Sequence, residues 1–433
     1  MSRASRAEGN SAGIGGMTQA NWTEGGAART AGWLNEYGAA PRRILVMDDN
    51  TPADAAFREA TQGTALLWRG DYHNARQLLQ ALGRRIDERQ RRTRQRQAVD
   101  VETAGVDAFN RHRLLQSQRA QLLNRLLVEL TPQAAEPYIN QTEASGAQEN
   151  DPHASGAQVS RTKASNARSA TAWVLHLRRA PDIDAAVQAA LGSAGGPVLL
   201  PLRALLGYIG AWEWRRQGVQ VPGLAGRIHV HYGVFSPNRG EYLDLVAQAP
   251  LPANRSLAFD VGTGSGVLAA ILASRGIERV IATDQDQRAL ACAADNIAHL
   301  GLQTRITLLK ADLFPLGRSP LIVCNPPWLP ARPTTSIEQA LYDPGSRMLL
   351  GYLRGLPGHL DDDGEGWLIM SDLAEHLGLR EASFLLEAIA AAGLRVLDRL
   401  DTRPRHAKAM DEKDPLYAAR RAEVTSLWRL GQA

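Results

Sequence analysis

Cysteine is almost absent from this chain: only Cys292 and Cys324 among 433 residues. Both sit in apolar stretches, and their spacing fits no metal motif. That excludes a disulfide framework and a cysteine-ligated metal, and a reduced, cytoplasmic setting is expected. Long apolar runs are missing too. No stretch approaches the roughly 18 residues of a membrane span, so no membrane partner is expected. The first residues lack the charged start and apolar segment of a signal peptide. Lysine is scarce beside arginine, and the net charge is only +4. The pI of about 9.2 permits nucleic-acid binding without requiring it. What the chain does have is an apolar fraction of 44%, enough for two or three packed domains.

Composition divides the chain. Residues 1–31 are rich in Gly, Ala, Ser and Arg and read as a disordered tail, because too few large apolar groups are present to offset ordering entropy. Residues 32–228 read as an α/β accessory domain for substrate recognition. In it, Arg43–Met47, Ala65–Trp68 and Ala172–Leu177 are strand candidates. Helices are expected from Asn74 to about Arg94, from Asp107 to Leu130, from Asp182 to Leu191 and from Leu202 to Gln217. A polar stretch, about 141–169, reads as a flexible insertion.

Residues 229–433 change rhythm. Strands at Leu257–Asp260, Arg279–Thr283, Arg305–Leu309, Leu321–Cys324 and Gly366–Met370 are almost continuously apolar. Helices fall between them at Val267–Arg275, Gln287–His299 and Ile337–Leu360. This alternation predicts a parallel sheet covered on both faces. Leu394–Leu400 and Val424–Leu430 add an antiparallel pair at one edge.

The first strand runs into Asp260-Val261-Gly262-Thr263-Gly264-Ser265-Gly266. Glycines between a strand and a helix let the backbone turn sharply and lie close to a ligand. Asp284 ends the second strand, where a carboxylate can accept from ribose hydroxyls. Asp312 follows the third strand at the same edge. Asp260, Gly262, Thr263, Gly264, Gly266, Asp284 and Asp312 therefore suggest an adenosine-type cofactor. The dinucleotide fingerprint Gly-x-Gly-x-x-Gly fits less well, since the third glycine comes one residue early.

The fourth strand ends in Asn325-Pro326-Pro327-Trp328. Two prolines stop the ladder and stiffen the loop. An amide or base-amine nitrogen is planar, with its lone pair delocalised, and is a poor nucleophile. Two acceptors on its N–H groups, the Asn325 side-chain oxygen and the Pro326 carbonyl, can turn that lone pair toward a methyl donor. Trp328 can stack on the flat substrate, a contact worth roughly 1–3 kcal/mol for a base. Asn325, Pro326, Pro327 and Trp328 are the catalytic candidates, and Asn325 also borders the cofactor.

These motifs resemble class I methyltransferases of the "small domain" group over residues 229–430. That group includes release-factor glutamine N5-methyltransferases and ribosomal RNA guanine-N2 or adenine-N6 methyltransferases. The resemblance implies a Rossmann-like seven-stranded sheet of order 3-2-1-4-5-7-6 and S-adenosyl-L-methionine as cofactor. It also implies transfer to a planar nitrogen of a protein or RNA substrate. Pro237, Arg239 and Glu241 resemble a segment that borders the cofactor in the glutamine enzymes, which favours a protein glutamine amide. Leu66–Arg76 resembles the degenerate N-terminal half of ribosomal guanine methyltransferases, and Arg84–Arg96 carries seven arginines. Both point toward RNA. Trp328 departs from the Tyr or Phe usual in the group. The alternative to an enzyme is a noncatalytic binding module on the same fold, which the intact Asn325–Trp328 loop disfavours. His406 and Lys408 are positioned to meet an anionic substrate.

Overall fold

The computed structural model describes residues 17–97, 105–134, 171–193, 195–237, 240–332, 341–405 and 409–433. Residues 1–16, the polar stretch about 141–169, Arg239, His406 and Lys408 lie outside them.

The N-terminal half is built on a mixed sheet. Its strands are β1 (Met17–Glu24), β2 (Ala27–Leu34), β3 (Ile44–Met47), β4 (Ala65–Trp68), β5 (Leu126–Ala134), β6 (Thr171–Leu175) and β7 (Val198–Pro201). They run in the order β1-β2-β7-β5-β4-β3, with β6 paired to β5. Helices α1 (Ala53–Thr61), α2 (Tyr72–Gln97), α3 (Val106–Leu123), α4 (Asp184–Leu191) and α5 (Leu202–Gln217) accompany it.

Two expectations are corrected here. Residues 17–31 are not a disordered tail. They belong to a hairpin whose turn, Gly25-Gly26, has φ of 57° and 78°, the type I′ geometry that matches strand twist. Its inner face buries Ala20, Trp22, Ala31 and Trp33 against Leu67, Leu127 and Leu199, and two tryptophans offset much of the ordering cost that the small residues cannot. The helix expected from Asp107 to Leu130 stops at Leu123. Leu126, Leu127 and Val128 have no exposed surface: β5 sits between β4 and β7, with Leu126 and Val128 under the helices on one face and Leu127 under the hairpin tryptophans on the other. A continuous apolar run is what a strand buried on both faces requires.

A short ribbon, β8 (Val219–Gln220) with β9 (Arg227–Ile228), leads to α6 (Glu241–Gln248) and the second sheet. This contains β10 (Leu257–Val261), α7 (Val267–Ser274), β11 (Arg279–Asp284), α8 (Gln287–His299), β12 (Ile306–Lys310), β13 (Ser319–Cys324), α9 (Arg347–His359), β14 (Leu360–Ser371), α10 (Leu373–His376), α11 (Phe384–Ala391), β15 (Leu394–Thr402), α12 (Tyr417–Ala422) and β16 (Thr425–Gln432). The strand order is β12-β11-β10-β13-β14-β16-β15, the expected 3-2-1-4-5-7-6. β10 to β14 are parallel, and β16 runs antiparallel to both its neighbours. α6, α7 and α8 pack on one face, and α9 and α11 on the other.

Helix α9 shows why the layers hold. Leu349, Tyr352, Leu353 and Leu356 fall at i, i+3, i+4 and i+7 and are buried, a single apolar stripe. Each such side chain contributes about 1.5–3 kcal/mol. The Tyr352 hydroxyl donates to the Ile322 carbonyl at 2.9 Å, which ties α9 to β13. The helix expected from Ile337 begins instead at Arg347. Gly345 (φ 68°) and Ser346 (φ 53°) are left-handed and break any earlier start.

Contacts in several places join the halves. Arg215 of α5 donates to Asp295 of α8 at 2.9 Å, and His231 Nε2 meets the same oxygen at 2.9 Å. Phe109 of α3 is buried with Leu373, Leu377 and Leu416, beside Leu329 and Tyr342. One turn along, Arg113 donates to the Arg332 carbonyl at 2.7 Å and lies 4.4 Å over the Tyr342 ring.

Candidate active site

The glycine loop and the Asn-Pro-Pro-Trp loop leave adjacent strands at the same edge. Val261, the last residue of β10, pairs with Cys324, the last of β13. Gly262 and Asn325 are therefore neighbours by register. This is the carboxyl edge, where open α/β sheets bind ligands. Burial drives the Cys324 thiol well above its ordinary pKa, so it is no nucleophile at neutral pH.

The glycine loop is held from below. The Gly262 and Thr263 amides both donate to the Thr283 carbonyl, at 2.9 and 2.8 Å. The Gly264 amide donates to Asp284 Oδ2 at 3.0 Å. Asp260 has no exposed surface. It accepts from Thr263 Oγ1 at 2.6 Å and from the Ala269 amide at 3.0 Å. Asp260 and Thr263 thus brace the loop's shape. Gly262 is required by its left-handed backbone (φ 74°); a Cβ there would also sit 2.4 Å from Met348 Cε, the movable end of that side chain. At Gly264 (φ 56°) a Cβ would meet nothing within 4 Å, so the loop presents open space to a ligand.

Asp284 and Asp286 shape the next corner. The Asp286 amide donates to Asp284 Oδ1 at 2.9 Å, and burial raises the pKa of Asp284 above the usual value. Each carboxylate oxygen keeps a lone pair after its backbone bond. Asp312 is exposed, two residues beyond β12.

Burial raises the Asp260 carboxyl from 3.8 to about 6. The folded chain therefore binds this proton more tightly than the unfolded chain. Its favourable contribution is fully present below pH 3.8 and is lost as the pH rises through about 6. The two-unit difference corresponds to about 3 kcal/mol. Asp260→Asn keeps an acceptor for Thr263 and Ala269. Urea unfolding of this variant is expected to vary less between pH 4 and 7 than that of the parent. Parallel curves for the two proteins would rule Asp260 out as the source.

The acceptor loop is more tightly packed than its sequence suggested. Trp328 does not stand free. Its ring packs against residues of both cores, edge-on to Tyr242 at 6.4 Å. Its indole N–H donates to Asn325 Oδ1 at 2.9 Å. A Tyr or Phe at this position lacks that donor. Glu241 is buried, accepts from the Arg405 amide and lines the recess beside Trp328 with Tyr242, Pro404 and Thr425. Pro237 is buried nearby in sequence.

Asp343 is a residue the motifs did not single out. It is buried. Its carboxylate accepts from the amides of Met348 (2.9 Å) and Leu349 (3.2 Å), which caps the first turn of α9. Its own amide donates to the Leu329 carbonyl at 2.9 Å. One residue therefore joins the acceptor loop to the helix whose Met348 lies on Gly262. Asp343-Pro344-Gly345 is a turn signal that, read as such, locates it.

Strand order and two loops at one carboxyl edge define the class I methyltransferase fold. The methyltransferase small domain family model matches residues 225–371. The release factor glutamine methyltransferase of Gloeobacter violaceus is 31% identical over 241 residues, covering 54% of this chain and 76% of that one. The chain belongs to the methyltransferase family that this relative represents. A second release factor glutamine methyltransferase, from Cereibacter sphaeroides, is 34% identical over 172 residues, 36% of this chain and 60% of the relative. The ribosomal protein uL3 glutamine methyltransferase of Bordetella pertussis is 33% identical over 156 residues, 32% of this chain and 52% of the relative. The chain thus spans little more than half the length of these two relatives. Among the described residues, no helix is long and apolar enough to cross a membrane.

Proposed function

We propose that this protein transfers a methyl group from S-adenosyl-L-methionine to the side-chain amide nitrogen of a glutamine in a protein. The single observation that carries the reading is the adjacency of Gly262 and Asn325 across the β10–β13 pair. Relatives named glutamine methyltransferases support the choice of amide over a nucleic-acid base.

The cofactor supplies an electrophilic methyl group on a positively charged sulfur. The glycine loop fits such a group, with open space over Gly264 and a half-buried carboxylate at Asp284. Gly262, Gly264 and Gly266 would let its backbone lie close, Asp284 would take the ribose, and Asp312 would border the adenine side. Asn325 Oδ1 and the Pro326 carbonyl accept the amide N–H groups and turn the nitrogen lone pair toward the donor. Oδ1 has a second lone pair, so the Trp328 bond leaves one for substrate. Pro326 and Pro327 hold the acceptors still, which contributes to rate through orientation. No strong base is required, since the proton can leave after transfer.

The test is incubation of cell extract with radiolabelled cofactor and the full chain. Label that is removed by protease and survives RNase is the expected result. Label removed by RNase would overturn the glutamine reading while keeping the fold's activity.

Trp328 separates two roles. Trp328→Phe keeps the ring and loses the donor. With the labelled acceptor, turnover is expected to fall about two- to tenfold, the equivalent of one ordinary hydrogen bond, with cofactor affinity unchanged. Trp328→Ala is expected to weaken acceptor binding more than cofactor binding, and the reverse ranking would make the indole a packing residue alone.

A further inference from the structure

The N-terminal half carries a charged face that the methyl-transfer reading leaves unused. Helices α2 and α3 pack side by side. Asp87 accepts from Arg119 at 2.9 Å, Gln90 donates to the Leu115 carbonyl at 3.3 Å, and a Cβ at Gly83 would lie 3.1 Å from Arg119. Gly83, Asp87 and Gln90 thus form the row of α2 that meets α3. Arg85, Arg89 and Arg92 share the same 4-then-3 spacing but lie roughly half a turn round the helix, on the far side. Arg84 and Arg91 form a second outward row.

Arg84, Arg89, Arg91 and Arg92 are exposed. Among the described residues, none of them has a carboxylate partner. Arg85 is bound to Asp54 at 2.7 Å, and Glu88 is the one exposed carboxylate within the arginine rows. Protein–protein interfaces centre on apolar and aromatic anchors. The exposed side chains from 84 to 93 include none, and no aromatic is present to stack an unpaired base. What remains is dense positive charge on a rigid rod, which suits a phosphate backbone.

We infer that the outward face of α2 docks on the backbone of structured RNA. Gln90 touches Leu115, two residues from the Arg113 that anchors the acceptor loop at Arg332. Arg113, two residues from Leu115, faces away from α2, so the arginine face and that anchor lie on opposite sides of the helix pair, about two helix diameters or roughly 20 Å apart. Resting on the protein-glutamine reading, this geometry assigns the acceptor to a protein carried on RNA. The RNA contact itself does not depend on that reading.

The test uses the full chain and a fluorescein-labelled 20-base-pair RNA duplex, followed by anisotropy from 50 to 200 mM KCl. Binding should weaken steeply with salt, at roughly 0.7–0.9 log units per log unit of salt for each phosphate contact. The combined variant R84A/R89A/R91A/R92A should lose about three units of that slope and at least tenfold in affinity at 100 mM. Lysine at the same four positions should restore the slope. Circular dichroism and S-adenosylhomocysteine binding should be unchanged in both. An unchanged slope in the alanine variant would overturn the proposal, as would no binding at 50 mM. Equal competition by a polyglutamate peptide would reassign the face to an acidic protein. Equal competition by a DNA duplex would remove the assignment to RNA.

Discussion

Asn325→Ala is expected to lose methyl transfer by about 10²–10³-fold while still binding S-adenosylhomocysteine with near-parental affinity in calorimetry. The magnitude is that of deleting one preorganised hydrogen-bonding group at a reacting centre. The separation of the two effects follows from the fold. The glycine loop is held by Thr283, Asp284 and Asp260 on its own side of the sheet edge, and none of those bonds passes through Asn325. The substitution removes the oxygen that accepts from Trp328. That indole is only partly buried, so its lost bond costs about 1 kcal/mol and not the fold. Without Oδ1 the substrate amide keeps its planar, delocalised nitrogen, and a correctly placed methyl group meets no lone pair. Turnover within a few-fold of the parent would take Asn325 out of the mechanism. A matching loss of cofactor affinity would make it part of the cofactor site alone.

How much of this was legible in the sequence depends on where the information lies. The C-terminal sheet was legible because its buried strands are near-continuous apolar runs and two of them end in motifs with their own chemistry. The same continuity misled at Leu126–Leu130, where one apolar segment fits a helix end as well as a buried strand. The hairpin at 17–34 was hidden by composition: most sequence neighbours of each tryptophan are small or polar, and only pairing in space makes Trp22 and Trp33 a core. The start of α9 was missed because a helical period was allowed to run through Gly345 and Ser346. At the site, the loops were legible and their mutual support was not. The Trp328–Asn325 bond and the Asp343 bridge join residues through folded geometry that no spacing encodes.

Asp343→Ala is the second large effect expected, and its signature differs from that of Asn325→Ala. The carboxylate serves two amides in the first turn of α9. There it also meets the positive end of the helix dipole. Removing a cap costs about 0.5–2 kcal/mol, and a buried amide left without a partner adds about 1–3 kcal/mol. Together they predict a loss of roughly 2–4 kcal/mol in urea unfolding. The functional consequence follows from what the turn touches. Met348 lies against Gly262, and the Asp343 backbone holds Leu329 just beyond Trp328. A frayed turn therefore loosens both loops at once. Cofactor affinity and turnover are expected to fall together, each by about ten- to a hundredfold, the range that such a free-energy loss allows when part of it is felt at the site. Asp343→Asn retains one acceptor and should recover most of the stability. If Asp343→Ala lowers turnover with cofactor affinity intact, α9 does not couple the two loops, and the adjacency of Gly262 and Asn325 rests on the sheet register alone.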